Sequence, residues 1–228
     1  TLWIMIHSGS RNLGKLVGDY YNEKAKKLNE RWYSVVSPDI RLSFLPLRTD
    51  EFNAYWQEMK YCVDFALCNR KLMMKRIEEV IKDAIPEIGF EPMINIAHNY
   101  ATWERDYGQD VIVHRKGATL AREGVIGIIP GSQGTASYIV EGLGNPESFC
   151  SCSHGAGRTL SRTAAIRDLN LKEEVERLDA LGIIHAIRNQ NDMQEASGAY
   201  KDIETVIANE ADLVKVKTRL LPVAVIKG

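Results

Sequence analysis

An α+β fold, as a single mixed domain of short, largely antiparallel strands with flanking helices, is what this 228-residue sequence predicts. Three observations carry that expectation. From about Asp50 to Ala84 apolar residues recur at helical spacing. Beyond Pro92, short apolar runs are punctuated by glycine, as brief strands are. Towards the end, helical and strand-like runs alternate, so both kinds of element mix within one core. An apolar fraction of 45% and a charged fraction of 26% are ordinary for a globular chain of this length.

The elements follow in order. Trp3-Ile4-Met5-Ile6 is an apolar run of strand type, ending in His7-Ser8-Gly9-Ser10-Arg11-Asn12-Leu13-Gly14. Leu13, Leu16, Val17, Tyr20, Tyr21 and Leu28 then predict an amphipathic helix. Residues 32–48, with Pro38 and Pro46, read as a connecting loop. In the long helix, Phe52, Tyr55, Trp56, Met59, Val63, Ala66 and Leu67 form a core-facing stripe continued by Met73, Ile77, Val80 and Ile81. Pro86 ends it. Strands are expected at 94–97, 110–114, 118–122, 125–129 and 137–140. Helices are expected from Ala156 to Asp168, from Lys172 to Ala180 and from Asp202, with strands near 183–187, 213–217 and 222–226.

A net charge of −1 argues against a generally basic nucleic-acid coat, so a nucleic-acid partner would need a local patch. Lys24, Lys26, Lys27 and Arg31 read as a solvated helix face. Cys62 and Cys68 lie in a helical stretch, and Cys150 and Cys152 are too close for a Cys-x-x-Cys metal clamp. They read as reduced thiols of a cytoplasmic protein. No apolar run reaches the roughly 20 residues that span a membrane.

The chemistry concentrates in Phe149 to Arg162, where His154 sits among two glycines, serines, Arg158 and Arg162. Successive N–H groups in such a turn bind anions, and a helix starting near Ala156 would add its positive end. Arg158 and Arg162 at i, i+4 would then share a helix face and aim two forks at phosphate. An isolated His-Gly pair is ordinarily a tight turn. The density of phosphate-type groups makes His154 a candidate to attack phosphorus or relay a proton. His7, His98 and His154, each closing an apolar strand-like run, suggest one convergent site, although each alone is more often a structural residue. His114 and His185 read as structural, His114 being the better candidate for a phosphate contact beside Arg115.

The segments His7-Ser8-Gly9-Ser10-Arg11, His98-Asn99-Tyr100, Arg115-Lys116-Gly117-Ala118, Ile129-Pro130-Gly131-Ser132, Ser153-His154-Gly155-Ala156-Gly157-Arg158, Ala199-Tyr200-Lys201-Asp202-Ile203 and Lys227-Gly228 occur in that order. Together they resemble the RtcB family of RNA-splicing ligases from end to end of the chain. The resemblance implies that residues 1–228 are the C-terminal part of an RtcB-like catalytic domain whose upstream portion is missing. It implies GTP, two manganese ions and a covalent histidine–GMP intermediate. RNA 2′,3′-cyclic phosphate or 3′-phosphate ends would be joined to 5′-hydroxyl ends, in tRNA splicing or RNA repair.

By that resemblance His154 is the guanylylated nucleophile, and His7 and His98 are manganese ligands, one for each ion. Ser132, Ser137, Ala156 and Gly157 would line the nucleotide pocket, with Tyr200 against the guanine and Lys227 at its edge. Arg11, Lys116, Arg158 and Arg162 would hold RNA phosphate. The family's upstream aspartate, cysteine and further histidine have no counterpart in the chain, and two histidines are too few for a binuclear site. The family's usual proline is absent from the segment before Tyr200. Partners implied are RNA ends, with an accessory activating protein left open and no membrane. Two other readings stay open: a metal-dependent phosphoesterase acting on RNA 3′-ends, and a non-catalytic RNA-end-binding chain.

Overall fold

The computed structural model describes residues 1–34, 36–37 and 42–226. Helices and short, mostly antiparallel strands make up the chain, so the α+β expectation is met. Contacts divide it into two compact units, Thr1–Tyr100 and Ala101–Gly228.

The first unit is built on α1 (Leu13–Arg31) and α2 (Asp50–Ala84). The long helix starts where Thr49 Oγ1 accepts from Phe52 N at 3.2 Å, with Asp50 and Glu51 suiting the positive end of the dipole. It stops at Ile85, one residue before Pro86, because proline's missing N–H and fixed φ end the ladder. Tyr21 of α1 donates to Glu58 of α2 at 2.9 Å and packs against Tyr55 with ring centroids 5.2 Å apart. Asn29 at the end of α1 is buried because its amide pairs both with Phe44 N, at 3.0 Å, and with Phe44 O, at 2.9 Å.

Two strand expectations fail in this unit. Residues 3–6 and 94–97 form no ladder among the described residues. An apolar run becomes a strand only when a second backbone edge answers its N–H and C=O groups. The neighbouring residues are tied instead to side chains and backbone of α2.

The second unit holds the sheets. β1 (Asn99–Asp106) pairs with β2 (Gln109–Lys116) around Tyr107–Gly108, both at positive φ as a tight two-residue hairpin turn requires. β3 (Ala118–Leu120) runs antiparallel to β6 (Ser151–Ser153), with Ala118 opposite Ser153. β4 (Ile126–Ile129), β5 (Ser137–Gly142) and β8 (Val214–Leu220) form the largest sheet in the order β4-β5-β8, all antiparallel, with a register shift at Ile139/Val140. Its core joins Ile129, Tyr138, Val140, Cys152, Ala156, Ile203 and Val214. α3 (Arg162–Asp168), α4 (Leu171–Ala180) and α5 (Ile203–Ala208) complete the unit, with β7 (Ile184–His185) parallel to β9 (Ala224–Val225).

The helix expected from Ala156 begins six residues later. Gly157 at φ 73 interrupts any earlier start, and Ser161 Oγ accepts from Ala164 N at 3.1 Å, capping α3 at Arg162. The long helix, α4 and α5 otherwise match their expected positions within a residue. The strands at 183–187 and 222–226 shrink to two residues each. All four cysteines are free thiols. Among the described residues no helix is long and apolar enough to cross a membrane.

Candidate functional site

In the first unit, His7 and His98 meet, their Nε2 atoms 3.1 Å apart and their rings edge to face with centroids at 5.1 Å. Ninety-one positions separate them in sequence. Two consecutive residues of α2 explain the convergence. Asn69 Nδ2 donates to Ser8 Oγ at 3.0 Å and to Gly9 O at 3.1 Å, while Arg70 donates to Ser8 O at 3.0 Å and to Asn95 Oδ1 at 2.7 Å. One helix thus holds both histidine-bearing segments. Sequence reasoning missed Asn69 and Arg70, which lie in a helix read wholly as core stripe. Arg11, also placed in this unit, is exposed at φ 50 in the turn before α1. Among the described residues no group of three His, Cys, Asp or Glu side chains is arranged to hold a metal ion. Imidazole is a donor type that divalent transition metals accept.

In the second unit, three segments meet around His154. β3 and β6 pair up to Ser153, and an added Cβ at Gly117 would lie 3.7 Å from His154 Cε1 and 3.8 Å from its Nδ1. The imidazole therefore rests against bare backbone. Lys116 is the exposed residue beside that glycine. On another side, Ala156 N donates to Pro130 O at 3.1 Å, which seats the Gly131–Ser132 turn against the histidine turn. An added Cβ at Gly131 would lie 2.0 Å from Ala136 O, so only glycine fits there. Ser137 Oγ accepts from Gly131 N at 3.1 Å, and Ser132 Oγ lies 2.9 Å from Thr135 Oγ1. The third segment joins through Thr159 N to Ala199 O and Lys201 N to Gly157 O, both at 2.9 Å.

Ser132, Ser137, Ala156, Gly157 and Tyr200 thus lie on three segments gathered around His154. Ala156 is itself buried in the core, so its side chain packs inward. Lys227 lies outside the described residues.

Two expectations about anion binding are corrected. The N–H groups of Gly155 and Ala156 are already taken, by Ser153 Oγ at 3.2 Å and by Pro130 O. A serine turn and a loop contact have used the donors that an anion nest would offer. Arg158 and Arg162 share no helix face, since Arg158 precedes α3. They meet instead on one carboxylate, Glu195, at 3.3 and 3.1 Å. Tyr200 joins them. Its hydroxyl accepts from Arg158 Nη1 at 3.1 Å and donates to Glu195, and the Arg158 guanidinium sits 4.9 Å over its ring. Burial, then the Glu195 carboxylate, push the Tyr200 phenol up to about 12, so it remains a donor at working pH.

In the second unit, Glu195 and Glu210 are residues that sequence reasoning overlooked. Glu210 Oε1 accepts from Ser153 N at 2.8 Å and so pins the strand next to His154. Burial, the larger influence, pushes its carboxyl up against that hydrogen bond. Arg115 is a structural ion. Its guanidinium binds Glu104 through two nitrogens, Ser151 Oγ at 3.0 Å and Phe149 O at 2.9 Å, and so braces the approach to β6. His114 is exposed beside it. His185 lies 3.3 Å from Asp179 Oδ1 and accepts from Ile187 N, a structural role.

An α+β chain with a histidine set in a glycine turn, flanked by serines, a tyrosine and arginines, has the make-up of a phosphate-handling protein. Residues 1–228 match the family model described as tRNA-splicing ligase RtcB, and the chain belongs to that family. It is 38% identical over 233 residues to the RNA-splicing ligase RtcB of Escherichia coli, a match covering 100% of this chain and 56% of that protein. It is 36% identical over 253 residues to the tRNA-splicing ligase RtcB of Nanoarchaeum equitans, covering 99% and 52%. The corresponding Thermococcus kodakarensis protein is 35% identical over 251 residues, covering 99% and 52%. The chain spans about half the length of the curated relatives it matches.

Proposed function

We propose that this chain serves a GTP- and manganese-dependent RNA ligase in the cytoplasm, acting in tRNA splicing or RNA repair. It would join 2′,3′-cyclic phosphate or 3′-phosphate RNA ends to 5′-hydroxyl ends through a histidine–GMP intermediate at His154. The observation that carries this reading is family membership along the whole chain, with His154 placed where the serine, glycine and tyrosine segments gather. His154 Nε2, the ring nitrogen farther from Gly117, would attack the α-phosphorus as a neutral imidazole while the bond to pyrophosphate breaks. The resulting nitrogen–phosphorus bond is labile enough to pass GMP to an RNA 3′-phosphate. The 5′-hydroxyl then attacks that phosphate, loses its proton and expels GMP.

His7 and His98 would hold manganese, whose charge offsets the negative charge that builds during phosphoryl transfer. Each ring was expected to serve its own ion, although two Nε2 atoms 3.1 Å apart can also share one. Ser132, Ser137, Gly157 and Tyr200 would seat the nucleotide, with Lys227 at the guanine edge. Arg11, Lys116 and Arg162 would meet RNA phosphate, with Arg158 as the fixed backing of Arg162.

Intact-protein mass spectrometry after incubation with manganese and GTP tests the reading, beside an ATP control and His154→Ala. The expected result is a GMP-sized adduct that needs GTP and His154. The same test belongs on a chain extended to the relatives' length, and silence in both overturns the proposal. Manganese-dependent loss of RNA 3′-phosphate without GTP would favour the phosphoesterase.

A further inference from the structure

Arg158 and Arg162 differ sharply in how much of their charge the chain has already used. Every nitrogen of Arg158 is engaged: Nε on Leu160 O at 2.9 Å, Nη1 on the Tyr200 hydroxyl and Nη2 on Gln194 O at 2.5 Å. Its side chain is 24% exposed. Arg162 is 69% exposed and makes one bond, from Nε to Glu195 Oε1 at 3.1 Å. Among the described residues its two terminal nitrogens meet no acceptor. Arg158 is thus a fixed part of the wall, and Arg162 is the arginine that can turn towards a ligand.

Glu195 stands between them at the end of a short 3-10 helix, Gln190–Glu195. Its backbone is held, because its carbonyl accepts from Gln133 Nε2 at 2.9 Å. The side chain can move while the chain around it stays. A carboxylate and a phosphate ask the same of a guanidinium, namely two oxygens facing paired N–H groups. We propose that Glu195 is an internal counter-ion that occupies Arg162 until a phosphate group takes its place, with Arg158 and Tyr200 remaining as the fixed backing. This rests on the phosphate-binding reading of Arg162 above and adds the residue that gates it. A phosphate arriving at Arg162 breaks one ion pair as it makes another, so affinity is lowered and binding favours ligands with more than a single negative charge.

The sign of one substitution separates this role from a scaffold. Glu195→Gln keeps an oxygen for the Tyr200 hydroxyl and removes the charge that competes for Arg162. Titration with inorganic phosphate should show binding roughly two- to fivefold tighter in Glu195→Gln, the range expected for releasing a partly exposed ion pair. Adding Arg162→Met should erase the gain. In the unaltered chain, the Glu195 carboxyl carbon resonance, assigned by its loss in Glu195→Gln, should move as phosphate saturates.

Weaker binding in Glu195→Gln would make Glu195 a scaffold and overturn the inference. Equal binding, or a resonance that stays still, would overturn it while leaving the phosphate site standing. If neither form binds phosphate, the phosphate reading of Arg162 falls and this inference with it.

Discussion

At the scale of single residues, His154 and the two arginines stood out because their types and spacing are unusual, whereas Tyr200 stood out only through the family resemblance. Their arrangement was not. The pattern Arg158…Arg162 suggested a helix face, and only the fold reveals that both arginines address a glutamate 33 positions beyond the second. Glu195 and Glu210 carry no local signal, since a lone carboxylate in a polar stretch reads as solvated surface.

The same limit applies to Glu104, whose 4% exposed side chain is answered by Arg115 and Arg122. Burial pushes its carboxyl up, but hydrogen bonds and charge from the two arginines outweigh that and hold it below its ordinary value. Its stabilisation is complete above the ordinary value of 4.5 and drains away as pH falls through the lower folded one. Acid unfolding should therefore steepen below that point, and the steepening should vanish in Glu104→Gln. Arg115→Met removes the buried partner and leaves Glu104 only the half-exposed Arg122, and should cost about 3 kcal/mol in urea unfolding. A loss under 1 kcal/mol would mean that the pair is replaceable.

At the scale of elements, the long helix, α4 and α5 were placed well, while the start of α3 and the strands without visible partners were not. Asp50 and Pro86 bracket α2 in the sequence itself, and the structure adds Thr49 as its N-cap. Thr49→Ala should cost about 1 kcal/mol, with Thr49→Asn restoring most of it, because the lost acceptor is the one used by Phe52 N. No change in the unfolding midpoint would show that the helix start is held by packing alone. Residues 3–6 and 94–97 look like strands because apolar content is a local property, whereas a ladder is a relation between distant segments. β6 was overlooked for the opposite reason. Ser151, Cys152 and Ser153 are poor strand formers alone, and Arg115 and Glu210 hold them in place.

At the scale of the whole chain, mixed α+β character followed from composition and periodicity, but the uneven distribution of burial did not. α2 has 35 residues with Cys62 as its buried one, while β5 buries Tyr138, Ile139, Val140 and Gly142. Hydrogen exchange should therefore find β5 amides protected far longer than those of α2. Equal protection would mean that the helix draws stability from something other than its own packing. Charge also acts at this scale. With a net charge of −1, RNA bound as proposed would be gripped by a few cations, so log K against log salt should fall with a slope of roughly −2, at about −0.7 for each of three phosphates. A slope far steeper would reveal a wider basic surface. Asn29, finally, acts as a clasp. By holding Phe44 on both its backbone groups, it closes a loop whose ends lie 15 positions apart. The entropy of closing a loop grows only with the logarithm of its length, so doubling this one by insertion should cost about 0.6 kcal/mol. The connection is a place where a tag or a second domain could be spliced in at little thermodynamic expense, provided Asn29 is left alone.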